Sequence, residues 1–398
     1  MTETAAAEPH FEEQQRVTPL ELFFDLVFVF AFTQVTTLLS DDPTWAGVLR
    51  GMLVLGALWW AWAAYAWLTN TLNPEEGEVR LGVFVVMGAM LIVALAVPEA
   101  FDDHGVLFGV GYLVVRGMHI VLYCLAAKRL GDRDLLGAVL RMTPSSTISA
   151  ILIIVAGFMD GDERLLLWAG GLAIDYLGVL IGRGSGFRVS AGHFAERHGL
   201  IVIIAIGESI VAVGLGAAGV ALGASLVTAA IFGIALAAAL WWTYFDWVSI
   251  VSERVLGRES GAAQASLARD MYSYLHLPMI AGIVLFAMAM KKALADVDEP
   301  LKTVPAAALC LGMALYMLAH VISRYRISRT IGHGRPVAVV AFAALWPLAI
   351  AVPALVALAC VAAIFVALIA YEAIRYRESR ARIRRGEVPT PQLLSGRA

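Results

Sequence analysis

Long apolar runs separated by short polar, arginine-bearing segments recur along the whole chain. A helix needs about 20 apolar residues to cross a bilayer. On that measure the pattern predicts helices at about 19 to 39, 45 to 69, 79 to 99, 105 to 127, 143 to 159, 165 to 182, 197 to 216, 222 to 249, 268 to 291, 303 to 323, 336 to 351 and 353 to 375. No polar loop separates the last two. The stretch "ALWPLAIAVPALVALAC" is divided at Val352 and Pro353 on length alone, and a single bent helix there would leave eleven spans. The expected fold is all-α, a polytopic membrane protein of about twelve transmembrane helices.

Composition agrees with the pattern. Of 398 residues, 60% are hydrophobic and 15% charged, with a mean hydropathy of +0.78, whereas soluble domains carry about 25% charged residues. Twelve spans and their loops use nearly the whole chain, so no large soluble domain is expected. Cys124, Cys310 and Cys360 lie inside apolar runs at spacings that fit neither a disulfide framework nor a zinc site, and read as small buried residues. The acidic start "MTETAAAEPHFEEQQR" lacks the basic region and small-residue cleavage site of a signal peptide, so the first helix is expected to stay in the mature protein.

Cytoplasmic loops collect Lys and Arg. With both termini inside, the predicted spans put 23 of the 29 basic residues on the cytoplasmic side, among them Arg141, Arg197, Arg269, Arg335 and seven arginines from Arg375 to Arg397. The other face holds Arg50, Arg164, Lys291, Lys292 and Lys302, and Arg116 lies within a helix. The expectation is a multi-pass protein of the inner (plasma) membrane with cytoplasmic N and C termini. Its basic tail, residues 376–398, is read as an orientation signal on anionic headgroups rather than a nucleic-acid patch.

The sequence also repeats itself. "LWWAWAAYAWLTN" at the end of the second predicted helix echoes "LWWTYFDWVSI" at the end of the eighth, aligning Trp59 and Trp60 with Trp241 and Trp242. "MGAMLIVALAV" resembles "HLPMIAGIVLFA", His119 falls opposite His320, and Glu21 opposite Glu196. This predicts a cytoplasmic segment 1–18, a first six-helix repeat 19–182, a second 183–375, and the tail. An even number of spans per half makes the repeats parallel, as in many carriers.

Charge inside a bilayer costs about 2.5–3.5 kcal/mol per residue, so buried ionisable groups are candidates for function. Arg116 and Asp175 each lie about eleven residues into helices that run inward, and Glu208 about eleven residues past Arg197 on a helix that runs outward. At 1.5 Å per residue all three reach one middle layer about 16 Å deep. This predicts a midplane constellation in which one arginine faces two acids and leaves Glu208 suited to proton binding.

Tyr112, Arg116, His119 and Tyr123 share one helical face directed into the bundle, and Gly171, Gly178 and Gly182 give Asp175 a smooth surface for a neighbouring helix. The alternative to a binding site is a structural Arg116–Asp175 ion pair. Asp25 is a further candidate on a face with Phe28, Phe32 and Thr36, and Glu21, one turn earlier, is read as interfacial. His119 and His276 could extend a proton path that includes Glu21, although packing is the plainer reading of a membrane histidine.

Other patterns point nowhere. His193, Glu196 and His198 in "HFAERH" do not share a helical face, so no metal site is expected. "GLGAAG" follows no strand, and the tryptophan-rich helix ends read as an interfacial belt. No cofactor or enzyme motif is present, and no enzymatic activity is expected.

"TPLELFFDLVFVFAFTQVT" (Thr18 to Thr36) and "HFAERHGLIVIIAIGESIVAVG" (His193 to Gly214) make nearly the whole chain resemble the bacterial low-temperature-requirement protein A (LtrA) family. The resemblance implies signature positions at Glu21, Phe23, Phe24 and Asp25, and at His193, Glu196, Arg197, Gly207, Glu208 and Ser209. It implies no established activity. "LFFDLVFVFA" is also faintly similar to the phenylalanine-serine-aspartate helix of a six-helix-repeat potassium-channel family, with Phe24 in place of the serine.

Two functions follow as expectations. One is a secondary transporter of a small solute, proton-coupled, with Arg116, Asp175 and Glu208 between two halves. The other is an ion or proton channel lined by the first and seventh helices past Asp25 and Glu208. A structural protein or intramembrane enzyme is the third reading, and self-association into a homo-oligomer is left open.

Overall fold

The computed structural model describes residues 16–181 and 186–385. Residues 1–15 and 386–398, which hold most of the expected N-terminal segment and tail, and 182–185, which include Arg183, lie outside the described residues. The first six helices are α1 (Pro19–Asp41), α2 (Trp45–Thr69), α3 (Gly77–Ala96), α4 (Gly105–Leu130), α5 (Arg133–Ala156) and α6 (Gly161–Ile181). Then come α7 (Ala191–Ala217), α8 (Ala224–Phe245), a short α9 (Val248–Leu256) and α10 (Gly261–Ala268). A π-helical turn, Arg269–Tyr274, joins α10 to α11 (His276–Ala295). The chain continues through α12 (Thr303–Ser328), α13 (Gly334–Ala349) and α14 (Ala354–Arg375) to α15 (Arg377–Arg384).

Among the described residues eleven helical stretches are long and apolar enough to span a membrane, and α13 is a shorter apolar helix. The chain is an all-α polytopic membrane protein. Its outward side chains are apolar, as lipid requires: Leu81 is 64% exposed and Val340 68%.

The stretch around Pro353 is two helices. Arg335, opening α13, pairs with Glu372 near the end of α14. At the far end of the hairpin the Ala354 and Leu355 amides donate to the carbonyls of Glu299 and Val297, in the loop before α12. So α13 leaves one face and reaches the other within sixteen residues, about 24 Å at 1.5 Å per residue.

Two helix starts differ from expectation for a common reason. α5 begins at Arg133, ten residues before the predicted start, because the Asp132 side chain caps it by accepting from the Leu135 amide at 2.9 Å. It runs through Pro144. α7 begins at Ala191 rather than 197. In both, a polar first turn that reads as loop is helix. Arg141, Arg197 and Arg269 therefore sit on helical or π-helical segments, not in loops, and Arg197 is fully buried.

Neighbour relations follow one scheme on each side of residue 186. α1 lies beside α2 and α3, α3 beside α4, α4 beside α5, α5 beside α6, and α2 beside α6. Likewise α7 lies beside α8 and α11, α11 beside α12, α12 beside α13, α13 beside α14, and α8 beside α14. α1 and α7 meet each other.

Candidate functional site

Arg116 and Asp175 do pair. Arg116 Nη2 donates to Asp175 Oδ2 at 2.8 Å and also to Ser146 Oγ, and Ser146 in turn donates to Asp175 Oδ1 at 2.8 Å. Both carboxylate oxygens are thus satisfied, which burial of a charge demands. The triangle joins α4, α5 and α6. Its closeness depends on glycine: a Cβ at Gly171 would sit 3.1 Å from the Ser149 carbonyl oxygen, and one at Gly178 would collide with Ser145.

Tyr112, Arg116, His119 and Tyr123 all point inward, each 2% exposed or less. On the arginine side of the pair lies a cavity of about 90 Å³. Its walls are aromatic, from Trp60, Trp67, Tyr123 and Phe187, and Arg116, Arg141, Arg269 and His119 add polar groups to the lining. Arg141 is exposed and Arg116 buried, so the cavity runs from the helix ends to the middle of α4. Beyond Arg116 the way is closed: Phe108, Tyr112 and Trp168 are fully buried, with Phe108 and Trp168 ring centroids 4.8 Å apart.

Glu208 is not with them. Thr33 on α1 donates to Glu208 Oε2 at 2.5 Å, so the expected three-residue constellation is divided between two places. Equal depth along separate helices says nothing about lateral position in a bundle. No Lys, Arg or His nitrogen lies within ion-pair distance of Glu208 among the described residues.

The excess of acid over arginine occurs instead where α1 runs alongside α7. Asp25 Oδ1 accepts from Arg197 Nη2 at 3.0 Å and from Trp62 Nε1 at 2.9 Å. Glu21, in the first turn of α1, is 2% exposed and so enclosed by protein rather than open to water. It closes a capping box with Thr18 and lies 3.1 Å from His193 Nε2 and 3.8 Å from Arg197 Nη1. The histidine tautomer follows from its neighbours. The Ser190 amide donates to Asn70 Oδ1 at 2.6 Å, so the Asn70 amide group donates to His193 Nδ1, leaving Nε2–H for Glu21. Two buried carboxyl groups share one guanidinium and one neutral imidazole.

Sequence reasoning reaches His193 and Arg197 only as signature positions of the family resemblance, gives them no site role, and passes over Trp62 and Thr33. A signal is present: Glu21 and Asp25 are four apart on one apolar helix, as are His193 and Arg197 on another, and two such pairs can join rung to rung. His119 and His276 fall in different clusters. His119 lies between Tyr65, tilted to it at 5.5 Å, and Tyr123, edge-on at 5.0 Å. His276 Nε2 is 2.8 Å from the Tyr244 hydroxyl and its ring 5.3 Å from that of His198. Trp59, Trp60 and Trp62 are buried rather than interfacial, whereas Trp241 and Trp242 face outward at 45% and 42% exposure. Trp59 and Trp67 donate to the Ser273 carbonyl and hydroxyl, tying α2 to the π-helical turn.

An all-α bundle with paired charges buried among its spans defines the class as an integral membrane protein. The family described as bacterial low temperature requirement A protein (LtrA) matches residues 16–370, and the chain belongs to it. It is 32% identical over 326 residues to an uncharacterized protein of Rhizobium meliloti (strain 1021), covering 79% of this chain and 78% of the relative. No solved structure matches.

Proposed function

We propose that the protein is a proton-coupled secondary carrier of the inner membrane, with both termini cytoplasmic, that loads a small solute in the cavity ending at Arg116. The observation that carries this reading is the one-sided cavity: it reaches a buried ion pair in mid-bundle and is closed beyond it by Phe108, Tyr112 and Trp168. Alternating access requires such a site, and a channel requires a path through it. Fully buried Phe28 and Phe32 on α1 likewise leave no open pore past Asp25.

The matching neighbour relations of α1–α6 and α7–α14 support two parallel repeats, 19–182 and 183–375, with α1 and α7 at their junction. The proton is carried there, by Glu208, which among the described residues has no cation in ion-pair contact, and by the Glu21–Asp25 pair, which among them has a single arginine. The reading gives the chain no enzymatic role.

Reconstitution into liposomes with an imposed pH gradient tests this. Solute-dependent proton movement is expected, and Glu208→Gln should abolish it. Flux indifferent to Glu208→Gln, or unitary currents in planar bilayers, would overturn the carrier.

A further inference from the structure

We infer that the cavity above Arg116 is a site for a short-chain monocarboxylate, a small organic anion with an apolar tail. The inference rests on the carrier reading for its purpose but not for its evidence. Among the described residues three guanidinium groups, Arg116, Arg141 and Arg269, line the cavity and no carboxylate does; Asp175 and Asp270 stand behind Arg116 and Arg269 as their ion-pair partners. A cation would meet guanidinium groups and no acid, and a solute without an acceptor oxygen would leave the spare donors of Arg116 unanswered; a carboxylate oxygen answers them most strongly.

Nη2 of Arg116 is committed to Asp175 and Ser146, while, among the described residues, Nη1 makes only a 3.5 Å contact with the Trp60 carbonyl and Nε has no hydrogen-bond partner. Nη1 and Nε lie on either side of Cδ and share no edge, so each offers a ligand oxygen a single charge-assisted bond rather than a two-pronged seat.

The walls and the size set the rest of the ligand. Trp60, Trp67, Tyr123 and Phe187 offer ring faces that suit a hydrocarbon tail and bind a bare inorganic anion poorly. The cavity of about 90 Å³ is smaller than the roughly 150 Å³ that accepts benzene and about three times a water's share of liquid volume. Acetate, with four heavy atoms, fits that space; butyrate, which has as many heavy atoms as benzene, and an aromatic acid do not.

The test measures binding apart from transport. The full chain in zwitterionic nanodiscs is equilibrated with radiolabelled acetate, with empty nanodiscs subtracted and with ethylamine, ethanol and benzoate as competitors. Saturable acetate binding is expected, displaced by unlabelled acetate and by none of those three at equal concentration. Arg141→Gln, at the exposed mouth, should weaken it by about tenfold, and Ala64→Leu, which fills the cavity without removing charge, should abolish it. Thermal melts and monodisperse elution show that each variant is folded.

Absence of saturable binding to the folded wild type, binding that survives Ala64→Leu, or equal displacement by ethylamine would overturn the inference. If acetate binds as described but liposomes move no solute, the site stands and the carrier fails. If liposomes move another solute while acetate neither binds nor competes, the carrier stands and the site assignment fails.

Discussion

Each half of the bundle buries an arginine–carboxylate pair, and the two are treated differently. Arg116 and Asp175 lie in mid-helix at the end of a cavity of about 90 Å³. Arg335 and Glu372 lie near helix ends, joined by a two-pronged contact at 2.8 and 3.2 Å, with Arg335 also donating to the Thr243 carbonyl at 3.0 Å. Here the chain covers its own cavity. Arg380 of α15 lies 2.6 Å from Asp246 and 3.5 Å from Glu372, Arg324 donates to the Tyr376 hydroxyl, and Ile383 is buried. About 40 Å³ remains. The first pair is the more deeply buried, 2% and 0% exposed against 8% and 8%, yet it adjoins the larger cavity, so the space beside the pair and not the pairing distinguishes a candidate site from a lock.

The contrast is tested most severely at the deeper pair. Arg116→Met leaves Asp175 charged and buried, and should cost about 3–5 kcal/mol of stability, with most of it restored when Asp175→Leu is added. Thermal unfolding in detergent measures both. A single variant as stable as wild type would mean that the pair is not buried as described. Arg335→Met should cost less, about 2 kcal/mol, because Arg380 remains to face Glu372. A loss equal to that at Arg116 would remove the distinction between the two halves.

Smaller effects refine it. Removing α15 by a stop after Tyr376 should cost about 1 kcal/mol, the worth of partly exposed ion pairs and a little apolar contact. It should also raise maleimide labelling of Ser323→Cys, a residue lining the second cavity, in a background without the three native cysteines. Labelling of Ala64→Cys in the first cavity should not change. The smallest expected effect on stability is at Glu208→Gln, within about 0.5 kcal/mol, since a Gln carbonyl still accepts from Thr33 and no ion pair is lost. A large destabilisation there would make Glu208 structural.

Much of the bundle is legible in the order of residues along the chain. Apolar stretches of spanning length mark the helices, and the Tyr112–Tyr123 face is directed inward as its spacing requires. Reading fails at helix starts that carry charge. The first two turns of α5 and α7 contain Arg, Asp, Glu and His, and a rule that equates polar with loop moves the start inward by ten and six residues. The error at α7 puts Arg197 outside the membrane and conceals the partner of Asp25. Buried tryptophans are misread in the same way, as surface belts, because an indole that donates to a carboxylate or a backbone carbonyl inside the bundle has the composition of one at the interface.

An all-α membrane protein of about twelve spans follows from the amino-acid sequence alone, as does the pairing of Arg116 with Asp175 as a choice between lock and site. Both rest on the intolerance of hydrocarbon for unpaired backbone and charge, which every residue along the chain must obey. Only the packing of the helices reveals that Glu208 belongs with Thr33, that Arg197 serves Asp25 and Glu21, and that α15 covers one cavity while the other stays open. Those depend on which helices are neighbours. Periodicity reports which way a side chain faces and roughly how deep it lies, and carries nothing about what stands across from it.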